Sequence, residues 1–172
     1  MSILSEHVPT EEAPHCEGAR RGFFRSPWFY LIYLVFYFSP WFFEPLRVID
    51  VVAACVAIGV FLPIYFRAFE GTTWRTIPLI LAIEAIGFCV SPFAGMYGSF
   101  HVYAMAQSGF QRPPRNAIIL LACLTTLYTV VSVWLGTHWI EITFVACMGA
   151  VIGAGCIASA EQIEYGRLME RS

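Results

Sequence analysis

Glu84 and His101 are the two residues of this chain whose types and spacing could do chemistry in the least favourable place for it. Glu84 stands in the middle of LILAIEAIGF, residues 79–88, and His101 follows in SPFAGMYGSFHVYAMAQSGFQRPP, residues 91–114. A lone carboxylate in a hydrocarbon layer costs about 2.5–3.5 kcal/mol on insertion scales, so Glu84 is expected to face protein or to be protonated. Counted from the turn between their two apolar stretches, both groups fall ~10–14 Å deep by helical rise. The spacing thus brings a Glu84–His101 contact within reach. Such a pair could lock two helices by a hydrogen bond. It could switch with protonation, because His titrates near neutrality. A metal or catalytic site would need more, since two ligands alone are too few. No catalytic residue, metal ligand set or cofactor is assigned. His15-Cys16-Glu17 is a poor chelate, its three residues being adjacent.

The elements that must position these groups are read from composition. The chain has 172 residues, 58% hydrophobic and 13% charged, about half the charge of a soluble domain. That excess of apolar surface implies an all-α integral membrane bundle. All ten basic residues are Arg, and neither charge nor motif suggests a nucleic-acid partner. Of the six cysteines, five lie in apolar runs and none form CxxC, which points to small buried residues and not to a disulfide framework. Residues 1–25 read as a disordered polar lead without a cleavable signal peptide. Residues 26–158 read as the bundle, and 159–172 as the start of a cytoplasmic signalling helix.

About six transmembrane helices with short loops are expected, at 28–43, 48–66, 76–90, 95–110, 116–135 and 138–158. The connections carry turn residues: GluProLeuArg at 44–47, GluGlyThr at 70–72 and ArgProProArg at 112–115. The fourth stretch is the critical one, because about 16 residues reach only ~24 Å. Charge argues that it crosses. With six crossings, nine of the ten arginines lie with both termini on the cytoplasmic side, leaving only Arg47 outside. If the fourth stretch dips and returns, only five of ten do. The expected location is therefore the bacterial inner membrane, multi-pass, with both ends cytoplasmic. Asp50 and Glu141, at the outer starts of the second and sixth spans, read as solvated interfacial charges, and Asp50 could also favour the N-terminal end of its helix through the dipole.

The sixth span carries a packing signal. Ala146, Ala150, Ala154 and Ala158 recur every four residues, with Gly149 and Gly153 forming GxxxG beside them. Small residues at this spacing let helices approach closely, either within one bundle or across a homodimer. Beyond it, Ile157, Glu161, Glu164 and Leu168 make a weak heptad-like series, and Gly166 lowers helix propensity.

The layout resembles the membrane sensor region of DesK-like bacterial two-component histidine kinases. The residues carrying the resemblance are the aromatic first span WFYLIYLVFYFSP at 28–40, the stretch 91–114, and the exit helix 161–171. The resemblance implies a sensing module that passes a membrane or apolar-ligand signal through its last helix to a cytoplasmic output. The partners it implies are the lipid bilayer, a second copy of the chain, and a response regulator only where a kinase core is joined. The chain departs from that family in having no phosphoacceptor histidine motif and no nucleotide box. Its four histidines sit in GluHisVal, ProHisCys, PheHisVal and ThrHisTrp. The alternative is a small transporter or channel subunit with Glu84 and His101 lining a path. A lipid-modifying enzyme would require a constellation of nucleophile, base or metal ligands that the sequence does not display.

Overall fold

A computed structural model describes residues 31–171 except Glu44 and Ala94, with the backbone alone for residues 170 and 171. The expected lead, 1–25, and the start of the first aromatic stretch lie outside the described residues. The chain divides into two units, Met1–Ile32 and Tyr33–Ser172. The described residues of the second unit are helical without strands: α1 (Leu34–Tyr37), α2 (Val48–Phe69), α3 (Ile77–Val90), α4 (Gly98–Gly109), α5 (Pro114–Trp134) and α6 (Trp139–Arg171). The all-α class holds. Three of these helices, α2, α5 and α6, are long and apolar enough to cross a membrane.

The other three differ from the expected spans for local reasons. The first aromatic stretch does not form one helix; short 3-10 turns flank the four residues of α1. Pro40 supplies no N–H and its ring crowds the carbonyl four residues back, which ends regular α-helix there. Ser39 Oγ instead donates to the Phe36 carbonyl at 2.8 Å. α3 has 14 residues, ~21 Å by helical rise. α4 has only 12, ~18 Å, shorter than the 95–110 span expected. The connection between them, 91–97, is longer than the four-residue turn expected.

The short helix is the centre of the bundle. Every residue of α4 is buried, and it packs against α3, α5, α6 and α1. A helix sheathed by protein need not match the hydrocarbon thickness, because its neighbours carry the lipid boundary. Both of its ends are tied. Tyr97 Oη bonds Ser132 Oγ at 2.9 Å and Thr137 Oγ1 at 2.7 Å, at the C-terminal end of α5. At the other end Arg112 N donates to the Thr72 carbonyl at 2.9 Å, and its guanidinium lies 3.7 Å from Glu164 on α6. On the α2 side, Phe61 and Tyr65 meet Phe100 and Tyr103 of α4, with ring centroids 5.0–5.5 Å apart. Such pairs are worth about 0.5–1.5 kcal/mol each beyond area burial.

α6 is one continuous helix of 33 residues, ~50 Å long, about 20 Å more than the hydrocarbon core. It runs through Gly166 without interruption. From Gln162 to Met169 it is exposed, as a helix leaving the bundle would be.

Candidate functional site

The structure brings Glu84 and His101 together. Glu84 sits on α3 with Ile80, Ile83 and Gly87, the residues that turn toward α4. Gly87 makes the approach close: a Cβ there would stand 3.0 Å from Phe100 Cβ and 3.1 Å from the Tyr97 carbonyl. His101 Nδ1 then lies 2.9 Å from Glu84 Oε1 and 3.0 Å from Oε2. The two side chains are only 1% and 2% exposed. Tyr128 of α5 covers the imidazole, its ring stacked at 4.2 Å and 18°.

The geometry also orients the imidazole. With Glu84 ionised, Nδ1 carries the hydrogen and donates it, and the neutral ring presents a lone pair at Nε2. Nε2 is buried without a hydrogen-bond partner among the described residues. It faces α6 at Gly149, where a Cβ would stand 3.4 Å from it and 3.1 Å from Met105 Cγ. The site is therefore a buried carboxylate–imidazole contact with a second ring nitrogen, Nε2, left without a partner among the described residues. Among the described residues no group of three or more His, Cys, Asp or Glu is placed to hold a metal. Ser99 lies two residues from His101, about 200° round the helix, so the two do not form a nucleophile–base pair. Ser99 Oγ faces a small void of about 20 Å³ beside Val102, Phe144 and Val145.

The small-residue series on α6 divides between two faces. Gly149 and Gly153 are buried against α4, and Ala146 is half-buried, whereas Ala150, Ala154 and Ala158 are exposed. A Cβ at Gly153 would come within 2.5 Å of Leu121 Cδ2 and 3.2 Å of the Met105 carbonyl. The glycines thus serve packing within the bundle, and Ala150, Ala154 and Ala158 line an outward face.

Asp50 is not the solvated charge expected, although it does act at the N-terminal end of its helix. It is 1% exposed, not solvated, and it caps α2. Arg47 N donates to Asp50 Oδ2 at 3.0 Å, and the Arg47 guanidinium grips the same carboxylate through Nε at 3.0 Å and Nη2 at 2.9 Å. That hydrogen bond, with the Coulombic attraction, raises the Arg47 pKa above its usual value. Glu141 is half-buried at the start of α6. Sequence reasoning missed Tyr128 and the Tyr97–Ser132–Thr137 group. A signal existed, because Tyr128 and Ser132 are polar, four apart, and hence on one face of α5.

No family model, curated protein or solved structure matches this chain.

Proposed function

We propose that this chain is a membrane sensing module that crosses the bilayer six times and reports the state of its enclosed helix through α6. The single observation that carries this reading is the contact between α4 and α6. The imidazole of His101 faces Gly149, the eleventh residue of α6, and the same continuous helix extends exposed beyond the bundle. A change in charge or hydration at Glu84–His101 would press on a glycine-floored interface with no slack, and a rigid helix would carry the displacement outward. The output would be a cytoplasmic partner of the histidine-kinase type that the layout resembles.

A crossing by the fourth stretch is supported by the ends of α4. Tyr97 is tied to the C-terminal end of α5, and Arg112 to the α2–α3 connection and to Glu164. These contacts lie at opposite ends of the bundle, as a traverse requires, and the enclosure of α4 removes the need for a lipid-matched length. With six crossings, the arginine distribution favours cytoplasmic termini, and a bacterial inner membrane is the location that goes with the layout's resemblance.

A second reading, a small transporter using the same pair, is favoured by the polar content of α4, where Ser99, His101, Gln107 and Ser108 are all buried. One experiment separates the two. Spin labels near Tyr165 in paired copies, in liposomes, should change separation when Glu84 is replaced by Gln, with no proton flux in either form. Flux that disappears in Glu84→Gln, with label distances unchanged, overturns the sensing reading in favour of transport.

A further inference from the structure

The Glu84–His101 pair stands about one helical turn from a second polar group, and α4 and α5 join the two. Tyr97 and His101 are four residues apart, as are Tyr128 and Ser132, so each couple shares a face of its helix. Gly136 ends α5 in the left-handed region, with φ +76°, and turns the chain back so that Thr137 N donates to the Ser132 carbonyl at 3.0 Å. That turn lays the Thr137 hydroxyl against Tyr97. Tyr97 Oη gives its one hydrogen to Ser132 Oγ at 2.9 Å, so Thr137 Oγ1, 2.7 Å away, is the donor to Tyr97. The hydroxyls thus run in one direction, from the half-buried Thr137 to the buried Ser132.

Tyr128 carries the series inward. Its hydroxyl is buried beside Ser132 and Tyr97, in hydrogen-bond geometry with neither, and it feels the charge of Glu141. Its ring covers the His101 imidazole. One side chain therefore touches both the hydroxyl cluster and the pair, and a tilt of it would open His101 to the cluster. The opposite direction differs. Thr125 Oγ1 donates to the Leu121 carbonyl at 2.9 Å and Ser108 Oγ to the Ala104 carbonyl at 2.7 Å, so both hydroxyls are spent on their own helices. Buried Gln107 lies six residues from His101, ~9 Å by helical rise, against four residues, ~6 Å, for Tyr97. Of the elements around α4, α3 supplies Glu84 and α5 supplies Tyr128. α6 meets the imidazole with Gly149, and its ionisable groups stand to either side, Glu141 near the turn and Cys156 against Gly109. α1 and α2 present Tyr37 and Tyr65, which meet Phe100 and Tyr103.

We propose that the Glu84–His101 pair exchanges its proton with the side of the membrane on which the α5–α6 turn lies, through Thr137, Tyr97 and Ser132, with Tyr128 as the gate. Each hydroxyl accepts a proton on its oxygen and passes on its own, so none ends charged and the proton finishes on the pair. The proposal rests on the sensing reading only in taking the pair as the group that switches; with six crossings, the side is the outer one. The test takes the full chain in lipid nanodiscs through a rapid pH jump and follows the infrared bands that Glu84→Gln removes. Ser132→Ala and Tyr97→Phe should slow their change about tenfold, the effect of one lost hydrogen bond on a barrier, with the final amplitude kept. Tyr128→Phe, which keeps the ring over the imidazole, should slow it likewise, and Thr125→Val should leave the rate as it is. An unchanged rate in Ser132→Ala would overturn the proposal, as would equal slowing by Thr125→Val, or bands that ignore pH. A changed amplitude at an unchanged rate would make the hydroxyls structural supports and overturn it too. Should Tyr97→Phe fail to fold, Ser132→Ala, which removes a single oxygen, carries the test. Label distances at Tyr165 that stay fixed while these rates change would sink the sensing reading and leave this route standing.

Discussion

Two acid–base pairs in this molecule have similar distances and opposite settings. Glu84–His101 joins groups 17 residues apart on two helices, both partners buried, at 2.9 Å. Arg47–Asp50 joins groups three residues apart at one helix terminus, also at 2.9 Å, with the cation 66% exposed. The first pair is tertiary. It exists only because α3 and α4 meet, and each partner isolates the other from an apolar surround. The second is local. It forms whenever α2 begins at Val48, because a carboxylate at the third helical position reaches the unsatisfied N–H groups of the first turn. Equal distances therefore do not mean equal consequences; the two pairs differ in the group left behind when one partner is removed.

The sharpest way to break the comparison is to remove Glu84. Glu84→Ala leaves a buried imidazole without its carboxylate, and breaking a buried pair costs about 3–5 kcal/mol. Reversible unfolding in mixed micelles should show that loss. Glu84→Leu combined with His101→Leu should recover much of it, since two apolar groups need no partner. A double variant as unstable as the single would mean that the pair is not the source of the cost.

A smaller effect tests whether the central pair depends on close helix approach. Gly153→Ala puts a Cβ within 2.5 Å of Leu121, and overpacking of this kind costs about 1–3 kcal/mol. Gly155→Ala has nothing within 4 Å and should be neutral or slightly stabilising through helix propensity. Equal unfolding midpoints for the two variants would contradict the close packing of α6 at Gly153.

The smallest effect belongs to the local pair. Asp50→Ala removes a cap and leaves Arg47 exposed to water, so about 0.5–2 kcal/mol is expected. Thermal denaturation followed by circular dichroism would measure it, and a loss as large as that of Glu84→Ala would erase the distinction between the two pairs.

Much of the framework was legible from residue order. The helices α2, α3 and α5 begin and end within a few residues of their expected places, because Arg47, Glu70, Arg75 and Pro114 punctuate the apolar runs. Glu84 and His101 stood out because polar groups in apolar stretches are expensive. Other features were not legible. The four-residue α1 hangs on where Pro40 falls in a crowded aromatic run. Asp50 looked like an interfacial charge, because its burial comes from packing that residue order does not display. Tyr128 lies on a different helix from the imidazole it covers, 27 positions along the chain, and no local pattern joins the two.

Composition and patterning by themselves determined that this chain is helical, apolar enough for a membrane, and burdened with two polar groups that need each other. Only the tertiary structure decided that α4 is the enclosed helix and that Gly149 and Gly153 turn inward while their neighbouring alanines turn out. The physical reason is that in a membrane protein both the lipid and the interior are apolar. The hydrophobic period that marks a core-facing stripe in a water-soluble helix loses its contrast. Which face is inside is then set by the fit of small residues against particular neighbours, and those neighbours are distant in sequence.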